Sequence, residues 1–305
     1  MLTDAVVRLI SEVVSASMVY VDEPMSRHTT FRIGGKADLL VEPTEVNQAE
    51  AVVKLLRQMQ VPYVVLGNGS NVLVGDKGFR GVVVKLGKEF GACDMRENRI
   101  YAQSGIKLSR LANFALGNCL TGLEFAAGIP GTLGGALYMN AGAYGGEMKD
   151  IVQEVTYLDP QGRRRTATAL ECEFGYRTSL FSKNPGCVIL GCVLELQEGN
   201  KEEIRGKMDD FAQRRVSKQP LNFPSAGSTF KRPEGYFAGK LIQDAGLMGL
   251  RVGGASVSEK HAGFVVNDQG ATAAEVRELI RQVQEKVKEK FGVELQPEVR
   301  FIGEF

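Results

Sequence analysis

The chain has 305 residues, 44% hydrophobic and 24% charged, which suits folded globular protein and excludes a largely disordered one. Its 37 basic and 36 acidic residues leave a formal net charge of +1, without the overall positive charge of a dedicated nucleic-acid binder. Glycine is the unusual entry, at 36 residues or about 12% against a typical ~7%, and without a collagen period it points to tight loops beside a ligand.

The opening stretch MLTDAVVRLISEVV carries Asp4, Arg8 and Glu12 among its apolar residues, which excludes a signal-peptide core. It predicts an amphipathic helix over residues 3–14 with Val6, Ile10 and Val13 on one face. The loop DEPMSRHTTFRIGGKA leads to a strand, DLLVE. A helix of about 16 residues follows, entered at Thr44, with Val46, Ala49, Val52, Val53 and Leu56 inward, and then the strand VPYVVLG. Residues 38–67 therefore have the length and order of a βαβ unit. The turn after it is not the Rossmann fingerprint. Val72 stands where the third glycine of G-x-G-x-x-G belongs, and Val72–Val74 continues as a strand instead of a helix.

Between residues 79 and 196, FRGVVVKL, RIYAQ, EVTYLD, RRRTATA and CVILGCVLEL read as strands. A helix near 107–116 is expected to end on Gly117 as its left-handed cap. Near residue 200 the texture changes: Asn200 and Glu203 form a capping pair ahead of a helix with Ile204, Met208 and Phe211 on one face. The last long helix has a capping box at Thr272 and Glu275, a buried face of Val276, Leu279, Ile280, Val283 and Val287, and a stop at Gly292. VELQPEVRFIG reads as a closing strand. The fold class is α+β. No stretch approaches the roughly 18 uninterrupted apolar residues of a membrane span, so a cytoplasmic protein without membrane insertion is expected. Cys93, Cys119, Cys172, Cys187 and Cys192 are odd in number and form no C-x-x-C pair, and only His28 and His261 are available as imidazole ligands. Neither a disulfide framework nor a metal site is expected.

Two glycine clusters are candidates for holding phosphates. Gly67-Asn68-Gly69-Ser70-Asn71 follows a strand, where successive amides can form an anion-binding nest, although a plain tight turn is an equal reading. Residues 122–146 hold eight glycines. There Gly128-Ile129-Pro130-Gly131 forms a turn and Thr132-Leu133-Gly134-Gly135 enters a short helix whose N-terminus suits phosphate. Two such loops in one half of the chain suggest a dinucleotide.

Five motifs, GNGSNVLV, GIPGTLGGA with NAGAYGGE, GYRTSLF, SAGSTFKRP and QPEVRFIG, occur in an order that resembles the UDP-N-acetylenolpyruvoylglucosamine reductase family over residues 20–305. The resemblance implies a two-part FAD-binding domain of the vanillyl-alcohol-oxidase (PCMH) type over residues 1–199, with subdomains of about 1–85 and 86–199. It implies a smaller α+β substrate domain over 200–305, whose segment 292–305 returns toward the flavin. It further implies NADPH-dependent reduction of UDP-N-acetylglucosamine enolpyruvate to UDP-N-acetylmuramate for peptidoglycan synthesis, with hydride passing through FAD to the enolpyruvyl methylene carbon. The absence of insertions after GYRTSLF and SAGSTFKRP resembles the shorter, type II members, so the covering tyrosine loop of the longer subtype is not expected. His28 is the only histidine in the FAD half and lies outside the glycine loops, which argues for noncovalent FAD.

Residue by residue, the resemblance makes Ser228 the proton donor, Arg177 the cation facing the substrate carboxylate and Glu298 the acid supporting the intermediate. Glu298 acts either protonated or by holding Arg177 or a water, and the sequence leaves that choice open. A weak acid suffices at Ser228 because a carbanion-like intermediate is strongly basic, and the planar, always-charged fork of Arg177 suits a carboxylate gaining electron density. Tyr176, Lys218, Arg232 and His261 are candidate substrate contacts, with Lys218 near the diphosphate. Cofactor contacts fall on Gly67, Asn68, Gly69, Ser70, Asn71, Gly128, Ile129, Pro130, Gly131, Gly134, Gly135, Ala141, Gly142 and Ala143, with Arg27 and Thr30 beside them. Two other readings are an oxidase of a small hydroxylated substrate and a flavin- or nucleotide-sensing module without turnover.

Overall fold

The computed structural model describes residues 4–305. The chain divides into two compact units and passes between them five times. One unit contains Leu39–Asn68 and Gly81–Arg215 with the N-terminal segment; the other contains Asp22–Asp38, Gly69–Arg80 and Val216–Phe305.

The first unit begins with helix α1 (Asp4–Val13), whose Val6 and Ile10 are buried; position 3 of the expected helix lies outside the described residues. Helix α2 (Val46–Gln58) buries the predicted Ala49, Val52, Val53 and Leu56. It starts two residues after the expected Thr44. The Thr44 amide and hydroxyl instead donate to Gln48 Oε1 at 2.9 and 3.1 Å, so the threonine acts from outside the helix. Strands Lys36–Val41 and Tyr63–Leu66 flank α2 in sequence but are not neighbours. Strand Phe79–Lys85 lies between them in a four-stranded sheet completed by Val19–Pro24. Tyr63–Leu66 pairs with it in parallel, in register Tyr63 to Val82. These elements close on a core that includes Ile10, Leu39, Val53, Leu56 and Val84.

A second core in the same unit lies on a five-stranded sheet in the order Arg164–Thr168, Val152–Leu158, Val188–Glu195, Arg99–Gln103, Cys93–Arg96. All four of its pairings are antiparallel. Helices α3 (Leu108–Gly117) and α4 (Leu133–Met139) bury Leu111, Leu116, Leu133 and Leu137 in that core. Gly117 is the last helical residue and not the cap; Asn118 caps α3, and Cys119 takes the left-handed conformation with φ 57°. A short helix α5 (Leu180–Lys183) follows, and α6 (Lys201–Lys218) begins where Asn200 Oδ1 accepts the amides of Glu202 and Glu203.

The second unit holds α7 (Ala238–Asp244), α8 (Ala273–Phe291) and an antiparallel sheet of Arg251–Val252, Ala255–Val257 and Val265–Asn267. The capping box of α8 forms as predicted, its five apolar positions are all buried, and Gly292 ends it at φ 70°. Asp76 adds a second cap, accepting the amides of Ala273 and Ala274 at 2.7 and 2.9 Å. The expected long closing strand is shorter. Only Arg300–Ile302 is a strand, in parallel with Val72–Val74, because the segment before it makes an isolated bridge from Pro297 to Phe230. Among the described residues no helix is long and apolar enough to cross a membrane.

Leu279 is fully buried in the α8 core, whereas Thr272 contributes one capping bond. Replacing Leu279 with Ala should cost about 2–5 kcal/mol, and Thr272 with Ala about 1 kcal/mol. Urea unfolding followed by circular dichroism checks that order.

Candidate active site

In the first unit, the glycine-rich loops are held by backbone contacts that leave little room for side chains. A Cβ on Gly67 would collide with Thr132 Oγ1, and Asn68 Nδ2 donates to the Pro130 carbonyl at 2.6 Å. The loop 128–131 is thereby tied to the end of strand Tyr63–Leu66. The N-terminus of α4 offers fewer amides than its sequence suggests: Leu133 and Gly134 donate to the carbonyls of Ile106 and Ser104. Beside this turn the buried Ser104 Oγ has no hydrogen-bond partner among the described residues. Arg215 lies against Gly128, where a Cβ would approach its Cδ to 3.2 Å. Its guanidinium is half-buried, burial pushes its pKa below the ordinary value, and no hydrogen bond or ion pair reaches it among the described residues.

Ala141 and Met148 are joined by a backbone bond, and between them Gly142–Ala143 pairs with Gly146–Glu147 as a tight hairpin. Its turn residues Tyr144 and Gly145 both have positive φ, 53° and 92°, the geometry of a type I′ turn. The Tyr144 ring stacks on Phe211 of α6 with centroids 4.4 Å apart and planes 7° from parallel. A second tight turn, Gly175–Thr178, is closed by two reciprocal backbone bonds of 3.0 and 3.2 Å and carries Tyr176 and Arg177 at its tip. Arg177 has φ 53°, a left-handed conformation a side-chain-bearing residue adopts only when held there. Its Nη2 donates to the Gly142 carbonyl at 3.5 Å, and its Cζ lies 5.4 Å from the ring centroid of Tyr176, which is exposed. Ser179, fully buried, fixes the exit of the turn by capping α5 and donating to the Tyr138 carbonyl.

Asn140, which the motif reading passed over, joins the two turns. It donates to Glu147 Oε2 and to the Gly175 carbonyl and accepts the Lys149 amide. The signal that could have found it is an asparagine directly after a short helix, where the left-handed cap falls. Burial pushes Glu147 up, but bonds from Lys149 and Asn140 and the charges of Lys149 and Arg177 outweigh it, so the carboxyl titrates below its ordinary value.

In the second unit, Gly69 is at φ 62°, and a Cβ there would strike the His28 carbonyl, so the loop tolerates only glycine. The Thr30 amide donates to Gly69, and Thr30 Oγ1 donates to Ser225 at 2.6 Å. Arg27 is an exposed residue 3.8 Å from Glu23. Asn71 Nδ2 donates to the Glu298 carbonyl at 3.3 Å, and the Arg300 amide donates to Asn71. Ser228 is exposed on the same network: the neighbouring Thr229 carbonyl accepts the Glu298 amide at 2.8 Å. Two of the three expected catalytic residues, Ser228 and Glu298, are thus brought together by backbone within one unit.

Of the expected substrate contacts in this unit, Lys218 is the exposed end of α6. The Cζ of Arg232 lies 3.9 Å from the Phe237 ring centroid, and its Nε donates to the Tyr236 carbonyl. His261 Nδ1 accepts the Gly263 amide, which fixes the neutral ring with its proton on Nε2; burial pushes its pKa down, against a smaller backbone contribution. Gln219, next to Lys218, carries a buried Oε1 with no hydrogen-bond partner among the described residues.

Residues 37–168 match the model of the FAD binding domain, and residues 219–302 match that of the UDP-N-acetylenolpyruvoylglucosamine reductase C-terminal domain. The protein is therefore an α+β flavoprotein with an FAD-binding domain followed by this second domain. Phl p 4.0202, a glucose dehydrogenase, shares the fold at 12% identity with a TM-score of 0.52 over 95% of this chain and 63% of that one. The UDP-N-acetylenolpyruvoylglucosamine reductase of Clostridioides difficile (strain 630) is 53% identical over 292 residues, 96% of each chain. The crystal structure of UDP-N-acetylenolpyruvylglucosamine reductase (MurB) from Thermus caldophilus is 36% identical, with a TM-score of 0.80 over 93% of this chain and 99% of that one. The chain belongs to the UDP-N-acetylenolpyruvoylglucosamine reductase family.

The local features fit an FAD. A half-buried cation without a counter-charge, an unpaired buried hydroxyl at Ser104 and glycines packed too tightly for a side chain surround the loops assigned to the dinucleotide.

Because Glu147 titrates below its ordinary 4.5, its stabilising contribution is present above that value and is lost as pH falls through the lower, folded one. Glu147→Gln should flatten the acid limb of a plot of Tm against pH, as checked by thermal melts from neutral pH downward.

Proposed function

We propose that the protein reduces UDP-N-acetylglucosamine enolpyruvate to UDP-N-acetylmuramate at the expense of NADPH, in the cytoplasm. The support is near-full-length identity to reductases of that name, together with the backbone bond that puts the Ser228 and Glu298 segments side by side. FAD, bound noncovalently by residues 1–199 together with Arg215, would carry the hydride from NADPH to the enolpyruvyl methylene carbon. Residues 200–305 would hold the substrate.

The chain's own residues supply the rest. Gly67 to Asn71, Gly128 to Gly131, Gly134, Gly135 and Ala141 to Ala143 line the dinucleotide, and Arg215 offers its guanidinium to the pyrophosphate. Hydride arrival at the methylene carbon sends an electron pair onto the neighbouring carbon and its carboxylate. Arg177 faces that carboxylate with a permanent, planar charge, which is worth most where water is excluded. Ser228 Oγ then gives its proton to the neighbouring carbon, completing addition of one hydride and one proton across the double bond. Glu298 supports the intermediate beside Ser228. Lys218 and Arg232 meet the diphosphate, Tyr176 borders the carboxylate, and His261 presents its Nε2–H as a neutral donor.

Purified holoenzyme mixed with NADPH and UDP-N-acetylglucosamine enolpyruvate should oxidise NADPH only while substrate remains, yielding one UDP-N-acetylmuramate per NADPH. Full FAD occupancy with no substrate-dependent oxidation would overturn the proposal. Flavin reduction by alcohols or hydroxy acids but not by NADPH would point to an oxidase instead.

A further inference from the structure

Asn140 is 1% exposed and stands in the left-handed conformation, φ 42° and ψ 58°, at the end of α4. Its amide makes three bonds in three directions. Nδ2 donates to Glu147 Oε2 at 2.8 Å and to the Gly175 carbonyl at 3.0 Å, while Oδ1 accepts the Lys149 amide at 3.0 Å. Both hydrogens of the amide group are used. One of these bonds reaches the hairpin that contains Gly142, and another reaches the turn that carries Arg177. Arg177 in turn donates to Gly142, so the two turns and the one asparagine form a closed loop of contacts.

The chemistry of the partners explains why an amide is needed. Glu147 Oε2 and the Gly175 carbonyl are both acceptors, and only a side chain with two donors can sit between them while also accepting the Lys149 amide. Glu147 is an anion whose titration responds to Arg177. The turn holds Arg177 at φ 53°, and its own backbone closes it with two bonds. An external tie is therefore required to keep that conformation.

We propose that Asn140 is a positioning residue for Arg177. It anchors the Gly175 carbonyl, and with it the strained turn. It also holds the Glu147 carboxylate, and with it the hairpin whose Gly142 carbonyl accepts from Arg177. This rests on the reading of Arg177 given above.

The test uses holoenzyme and separates two half-reactions: flavin reduction by NADPH, and reoxidation of the reduced enzyme by the enolpyruvyl substrate. Asn140→Asp sets an acceptor against two acceptors. It should slow reoxidation by about 10- to 100-fold, the size expected for a misplaced catalytic group, and leave reduction by NADPH nearly unchanged. Calorimetry should show weaker binding of UDP-N-acetylmuramate, whose carboxylate would meet Arg177. Adding Glu147→Gln to Asn140→Asp returns a donor on the hairpin side only and should recover at most part of the loss, because the Gly175 carbonyl still faces an acceptor. Asn140→Ser, which keeps a donor and an acceptor but cannot span both turns, gives the same readout if the aspartate variant does not fold.

Arg177→Met is the reference. If it reoxidises at the wild-type rate, the reading of Arg177 itself fails. If Arg177→Met is slow while both Asn140 variants match wild type, the positioning role alone is overturned. An equal loss in both half-reactions would reduce Asn140 to a structural residue and overturn it as well.

Discussion

The buried Thr229 is the node from which the second unit's chemistry hangs. At 1% exposure, it donates its amide to Gly263, accepts the Val265 amide on Oγ1 and accepts the Glu298 amide on its carbonyl. Two stretches of chain distant from it in sequence, around residues 263–265 and at Glu298, are fixed to one residue. The consequence for Ser228 is direct. A serine hydroxyl is a weak acid, and a weak acid serves as a proton donor only when its place is fixed beforehand. Its own exposure leaves it accessible, while its neighbour's bonds remove the backbone freedom that would let it wander.

Arg177 is held by the opposite strategy. Its turn is exposed at Tyr176 and rests on a backbone conformation that costs free energy, so the stabilisation comes from buried groups on either side: Ser179 at the exit and Asn140 beneath Gly175. Full pairing of every polar atom of Asn140 is what makes its burial tolerable, since an unpaired amide in that position would cost about 1–3 kcal/mol. By contrast Ser104, beside Gly134, and Gln219, next to Lys218, leave a buried polar atom unpaired among the described residues. Polar groups satisfied by protein thus define the frame.

How much of this was readable beforehand depended on distance along the chain. Helix α8 was legible in full because its cap, apolar face and stop are all local. The neighbour relations of Lys36–Val41 and Tyr63–Leu66 were not, because Phe79–Lys85 inserts between them and no periodicity reports strand order. The cap of α3 was missed because Cys119, not the glycine, takes the left-handed position. At the site, glycine density pointed to the loops around Gly67 and Gly131, and family motifs pointed to Arg177, Ser228 and Glu298. Asn140 lies inside the motif NAGAYGGE but received no role from it, and Arg215 lies outside every motif. Their roles come from burial and from partners up to tens of residues away, which composition and spacing do not carry.

Delivery of the proton by Ser228 in the half-reaction with substrate is tested by anaerobic single-turnover measurement on Ser228→Ala. NADPH should reduce the bound flavin at close to the wild-type rate, while reoxidation by UDP-N-acetylglucosamine enolpyruvate should slow by at least about 10²-fold. Loss of both half-reactions together, or reoxidation at the wild-type rate, would contradict it.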